Sequence, residues 1–232
     1  MKYMITIALL TFLLSGCTSA PSFSNESVPT VASVSTPTPT PTETPVPTTE
    51  PQPESPTIET IDGVTYVNGI IIANKTYSLP ADYAPGVNPD AKAAFDKMRS
   101  AAAAEGLNLY LSSSFRSYEY QNKIYNNYVS QDGKEKADTY SARPGHSEHQ
   151  TGLAFDLNTI DDAFANTPEA VWVAQHAHEY GFIIRYPVDK VEITGFKYEP
   201  WHIRYLGTET ATKVYESGLC LEEYLDITSI YA

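Results

Sequence analysis

From residue 61 onward, apolar positions recur along the chain with a period of two in some stretches and of three to four in others. Val64 to Val67, the pair Asn68-Gly69, and Ile70 to Ile72 predict a β-hairpin, because Asn-Gly supplies the positive φ that a tight turn needs. Asn88 and Pro89 open a helix whose inner face carries Ala91, Phe95, Met98 and Ala102, and Gly106 closes it. Leu107, Leu109 and Leu111 alternate with other residues and predict a strand. Ser117 caps a helix bearing Tyr120, Ile124 and Tyr128. Leu153 to Leu157 is a short strand, and Thr167-Pro168-Glu169 starts a helix that runs to Gly181. Phe182–Tyr186, Val191–Thr194 and Trp201–Tyr205 read as further strands, and a last helix runs from Thr208 to about Gly218. Strands slightly outnumber helices and their connections are hairpin-like. The expected class is α+β: one domain, residues 61–232, with a small antiparallel sheet flanked by helices.

The first sixty residues follow a different pattern. Lys2 precedes an apolar run from Met4 to Leu14, and then come Ser15, Gly16 and Cys17. A positive start, a short apolar stretch and small residues before a cut describe an export signal, residues 1–16. The run is shorter than the ~20 residues of a membrane span. Its ending resembles the bacterial lipoprotein signal, in which the cysteine, here Cys17, is lipidated and becomes the mature N-terminus. Residues 17–60 then hold ten of the seventeen prolines, among Ser, Thr, Val and Glu. Such a segment has too few apolar side chains to offset its ordering entropy and is expected not to fold. In polyproline II, at about 3.1 Å per residue, about forty residues reach on the order of 120 Å. The expected location is therefore the outer face of the cell membrane, with the domain reaching into the wall on a lipid-anchored tether.

Composition narrows the choice of chemistry. The 232 residues are 42% apolar and include 17 tyrosines, enough for one sizeable core. Fifteen Lys and Arg stand against 28 Asp and Glu, for a net charge of −13, which argues against a nucleic-acid partner. Two cysteines build neither a disulfide scaffold nor a thiolate zinc site. Cys220 reads as a small buried apolar residue. The domain is taken as a monomer.

Two stretches carry candidate chemistry. In Ser147-Glu148-His149-Gln150-Thr151-Gly152-Leu153-Ala154-Phe155-Asp156, the carboxylate of Asp156 lies in an apolar strand, which is costly without a compensating cation or hydrogen bonds. His149 lies seven residues earlier, so a turn at Gly152 is needed to bring the two together. In Glu199-Pro200-Trp201-His202, alternation puts His202 and Arg204 on one strand face. Two histidines and an aspartate suit zinc with a position open for water, and Glu199 suits the nearby base. Spacing alone leaves hydrogen-bonded core histidines as the alternative. His146 adjoins the motif; His176 and His178 read as ordinary helix residues.

Ser-x-His-x-x-Gly-x-Ala-x-Asp followed by Glu-x-x-His resembles the zinc D,D- and L,D-carboxypeptidases of the VanY type, which trim D-alanine from peptidoglycan stem peptides. The likeness runs from about Ala81 to Leu206 and includes Phe115-Arg116-Ser117 and Ser141-Ala142-Arg143-Pro144-Gly145-His146. It implies zinc held by His149, Asp156 and His202, Glu199 as general base, and substrate contacts from Arg116, Gln121 and Ser147. Ser113-Ser114-Phe115-Arg116 departs from the more usual Ser-Gly-Tyr-Arg. A carboxypeptidase must hold a terminal carboxylate, for which a fixed arginine is suited. Arg116 is the candidate for that carboxylate or for the developing oxyanion, with Arg204 placed to orient the metal ligands. D,D- and L,D-specificity are not separated by these residues. The rival from another class is a non-catalytic wall-binding module with a structural metal, its tyrosines and tryptophans stacking on sugars. Against it stands Glu199, which a structural metal does not require. A metal hydrolase of another amide would share the same residues.

Overall fold

The computed structural model describes residues 55–231. The export signal, Cys17 and nearly all of the proline-rich stretch lie outside them. Among the described residues no helix is long and apolar enough to cross a membrane.

Two antiparallel sheets form the frame. The first joins β1 (Ile58–Ile61), β2 (Val64–Val67) and β3 (Ile70–Ile72) in sequence order. Asn68 and Gly69 take φ of 50° and 77° at the expected turn. Asp62 and Gly63, at 50° and 79°, make an equivalent turn one strand earlier. β1 therefore begins upstream of residue 61, inside the stretch read as linker.

The second sheet has the order β4–β5–β7–β6, from β4 (Leu111–Ser113), β5 (Ala154–Leu157), β6 (Phe182–Ile184) and β7 (His202–Tyr205). Side chains alternate across it, so each strand faces two ways. On one face Phe155, Leu157 and Ile203 pack on Ala91, Phe95, Met98 and Ala102 of α1 (Pro89–Ala104) and on Trp172 and Val173 of α4 (Pro168–His176). Each large apolar side chain buried there contributes ~1.5–3 kcal/mol. On the other face, Asp156 is the cross-strand partner of both Ser113 and His202. A second cluster packs Val67, Ile72 and Ile183 against α6 (Thr208–Ser217) and α7 (Leu221–Leu225). α2 (Tyr118–Asp132), capped by Ser117 as expected, is followed by the single turn α3 (Lys134–Ala137).

Two expected strands are corrected. Only Leu111 of the Leu107–Leu111 alternation enters β4. Upstream, Asn158 takes the place of a ladder: its Nδ2 donates to the Asn108 carbonyl at 2.8 Å, and its Oδ1 accepts from the Tyr110 N–H at 3.1 Å. Val191–Thr194 is one helical turn, α5, closed by Gly195 at φ 76°. In so short a segment, tertiary context overrides the strand preference of its β-branched residues.

Candidate metal centre

His149 and Asp156 meet because the chain between them coils. Glu148–Thr151 forms a 3-10 turn, and Gly152 ends it at φ 73° before β5 begins. A Cβ on Gly152 would lie 1.9 Å from the Gly86 carbonyl oxygen, so only glycine fits. The Gly152 carbonyl in turn accepts from the N–H of Asn88, the cap of α1.

The coil sets His149 Nε2 3.1 Å from Asp156 Oδ2, while His202 Nδ1 lies 3.3 Å from Asp156 Oδ1. All three side chains are buried, and the atoms they offer lie within 4.8 Å of one another. His149 Nδ1 faces the Ser114 carbonyl at 2.7 Å. With Nδ1–H donating there, the lone pair of Nε2 is directed at the cluster. Asp156 Oδ1 is buried and accepts no hydrogen bond among the described residues, a condition that a coordinated cation relieves. Two imidazoles and a carboxylate without any thiolate fit zinc with a position left open.

The electrostatics favour positive charge at this point. Burial pushes Asp156 up, but the charges and hydrogen bonds of His149 and His202 outweigh it and hold the carboxyl well below its ordinary range. Burial lowers His202, yet Asp156 and Glu148 bring it up to about 9. Glu199 Oε2 lies 3.7 Å from His202 Nδ1. Burial is the main cause that raises Glu199 to about 7, opposed by His202 and assisted by the charge of Asp156. A carboxyl in that range is suited to exchanging a proton near neutrality.

The centre lies at the bottom of a cavity of about 520 Å³, whose outer wall includes Tyr120, Tyr128 and Tyr140. Arg116 lines it and is held in place: Nη1 donates to Gln121 Oε1 at 2.8 Å, and Nη2 donates to Ser113 Oγ at 3.1 Å and Asp156 Oδ2 at 3.4 Å. Ser147 also lines the cavity. Gln121 does not. It is 1% exposed, and its Nε2 donates to the Ala142 carbonyl at 2.6 Å. Its amide is committed at both ends, so it supports Arg116 in place of the substrate contact expected of it.

The wall segment 138–147 is pinned by Asp138, which accepts from Arg143 Nη2 at 2.8 Å and from the Tyr125 hydroxyl at 2.7 Å. Burial raises Asp138, but Arg143, Tyr125 and Lys134 together bring it down to about 2. A carboxylate depressed in this way stabilises the fold fully above its unfolded value near ~3.9, and that contribution is lost as pH falls toward the folded value. Asp138→Asn is therefore expected to lower the melting temperature at pH 7 but to narrow its gap from the parent between pH 4 and 2. A constant gap across that window would contradict the assignment.

The remaining candidates stand apart. His146 Nδ1 faces the Asn74 carbonyl at 2.8 Å, away from the cluster. His176 pairs with Glu179, and His178 stacks on Tyr215. Cys220 is buried, as expected. Three residues went unnoticed in the sequence: Glu148, Arg185 and Tyr186. All three are buried, and the Tyr186 ring lies 4.9 Å from that of His202. Arg185 did carry a signal. A guanidinium directly after Phe182-Ile183-Ile184 demands a buried carboxylate.

Comparison with known proteins fits this centre. Residues 85–208 match the family described as VanY, D-alanyl-D-alanine carboxypeptidase. YodJ of Bacillus subtilis is 38% identical over 198 residues, covering 73% of this chain and 72% of that protein. The solved LdcB LD-carboxypeptidase is 46% identical with a TM-score of 0.70, over 76% of this chain and 98% of LdcB. A VanY D,D-pentapeptidase solved in complex with Zn(II) is 37% identical with a TM-score of 0.60, over 67% of this chain and 97% of its own. Sequence and fold agree, and the buried cluster suits a metal: the chain belongs to the VanY family of carboxypeptidases.

Proposed function

We propose that the chain is a zinc-dependent L,D-carboxypeptidase that removes the terminal D-alanine from tetrapeptide stems of peptidoglycan. The observation that carries the L,D choice is the gradient of similarity. Identity is 46% to an LD-carboxypeptidase across nearly all of its length, against 37% to a D,D-enzyme. His149, Asp156 and His202 would hold the zinc, which when bound would supply Lewis acidity for a water and a carbonyl. Glu199 takes a proton from the attacking water and returns it to the departing amine. Arg116, oriented by Gln121 and Ser113, faces the carboxylate or the oxygen on which charge develops. Ser147 presents a hydroxyl to the bound peptide. We further propose that Cys17 carries a lipid anchor and that the proline-rich stretch between it and β1 lets a monomeric domain reach the wall from the outer face of the membrane.

The test is to incubate the full chain, with one equivalent of zinc, with muropeptide tetrapeptides ending in D-Ala and pentapeptides ending in D-Ala-D-Ala, following loss of alanine by mass spectrometry. Loss from the tetrapeptide alone is expected. Loss from the pentapeptide alone would make the enzyme D,D-specific. Loss from neither, with zinc bound, would favour the wall-binding module.

A further inference from the structure

The second position of the first motif carries a side chain without a part in the chemistry above. Glu148 is fully buried between His202 and two arginines. Its Oε1 accepts from Arg185 Nε at 2.7 Å and from Arg204 Nη1 at 2.9 Å. Among the described residues its Oε2 accepts from no donor; it lies 3.6 Å from His202 Nε2, which has no partner among them either. The other arginine nitrogens are taken. Arg185 Nη1 donates to Glu222 Oε2 at 2.7 Å and Nη2 to Glu222 Oε1 at 2.5 Å, and Arg204 Nη2 donates to the Ile71 carbonyl at 2.7 Å. Glu222 also accepts from Asn74 Nδ2 at 3.1 Å. Two carboxylates thus balance two guanidiniums, and the acceptor left free faces the ring nitrogen that points away from Asp156.

We infer that Glu148 is a positioning residue for the metal centre: its Oε2 faces Nε2 of His202 at 3.6 Å and favours the ring proton there, so that the Nδ1 lone pair faces the ligand cluster. The inference rests on the reading of His202 as a zinc ligand. A neutral imidazole has two tautomers, and only one can ligate through Nδ1. A carboxylate at Nε2 selects that tautomer and makes the ring a stronger donor to metal. The arginines on Oε1 keep the carboxylate from turning, and the Glu222 fork keeps Arg185 from reaching Oε2.

Glutamine is the discriminating replacement. In Glu148→Gln, the new NH₂ must face either two guanidinium donors or the His202 N–H, and both arrangements oppose donor to donor. Zinc affinity of the full-length chain, measured by competition with a chromophoric chelator, is expected to fall by about 10- to 100-fold. Glu222→Gln removes a charge from the same network without touching His202. It is expected to lower the melting temperature while costing less zinc affinity than Glu148→Gln. Equal losses of affinity in the two variants, or unchanged affinity in folded Glu148→Gln, would overturn the inference and leave Glu148 a purely structural residue.

Should Glu148→Gln fail to fold, the zinc-loaded parent decides. Long-range proton–nitrogen correlation of the His202 ring is expected to place its proton on Nε2, and a proton on Nδ1 would overturn the inference. A parent chain that binds no zinc would instead refute the metal reading itself.

Discussion

Glu199→Gln is expected to lose about 10³-fold in turnover of the tetrapeptide while still binding one equivalent of zinc. The expectation follows from where the carboxylate is held. The Glu199 N–H donates to the Tyr186 carbonyl, and the His202 N–H donates to the Glu199 carbonyl, so a tight turn sets the two side chains together at the entry to β7. Glu199 is buried, and its burial leaves it able to change protonation near neutrality. Glutamine keeps the shape and removes the basicity. Initial rates by mass spectrometry, with metal content by elemental analysis, separate the outcomes. Loss of zinc together with activity would make Glu199 a ligand, and activity within tenfold of the parent would remove it from the proton-transfer step.

The second large effect is structural. Gly152→Ala is expected to destabilise the fold by about 2–5 kcal/mol, the combined cost of a left-handed backbone and of overpacking. Gly69→Ala is the control, since Gly69 has a similar φ of 77° but open space within 4 Å of where a Cβ would sit. Only the backbone cost, ~1–2 kcal/mol, applies there. Urea denaturation midpoints compare the two. Equal losses would mean that the close approach to Gly86 relaxes without cost, and that the coil carrying His149 is less constrained than its geometry indicates.

The ligand set is legible in sequence because each part has a chemical reason to stand out: a carboxylate between Phe155 and Leu157, a glycine where the chain must turn, and a histidine alternating with core residues. Fold class follows from periodicity in the same way, and α1 and α2 carry their caps in plain sight. Short segments are less readable. Val191–Thr194 has the alternation of a strand and the length of a single helical turn, and only its surroundings choose between them. β1 escapes notice although Asp62-Gly63 is as good a turn signal as Asn68-Gly69, because it abuts proline-rich sequence. Gln121 shows a further limit. A residue type that suits substrate binding equally suits holding an arginine, and only its burial tells which. The Glu148–Arg185–Glu222 network joins residues far apart in the chain, and nothing local at Glu148 announces its partners.

The pairing of Asp156 with His202 across β5 and β7 has a consequence for how the molecule reaches its native state. Cross-strand partners share a face only in one alignment, and a slip of one residue would turn one of the two ligands toward the helices. A chain paired in the wrong alignment therefore cannot assemble the three-ligand cluster. Metal would bind the correctly aligned molecules and draw the population toward them by mass action. Zinc would then act as a selector among folding outcomes, and refolding yield, as well as activity, should depend on whether the ion is present while the strands are still choosing partners.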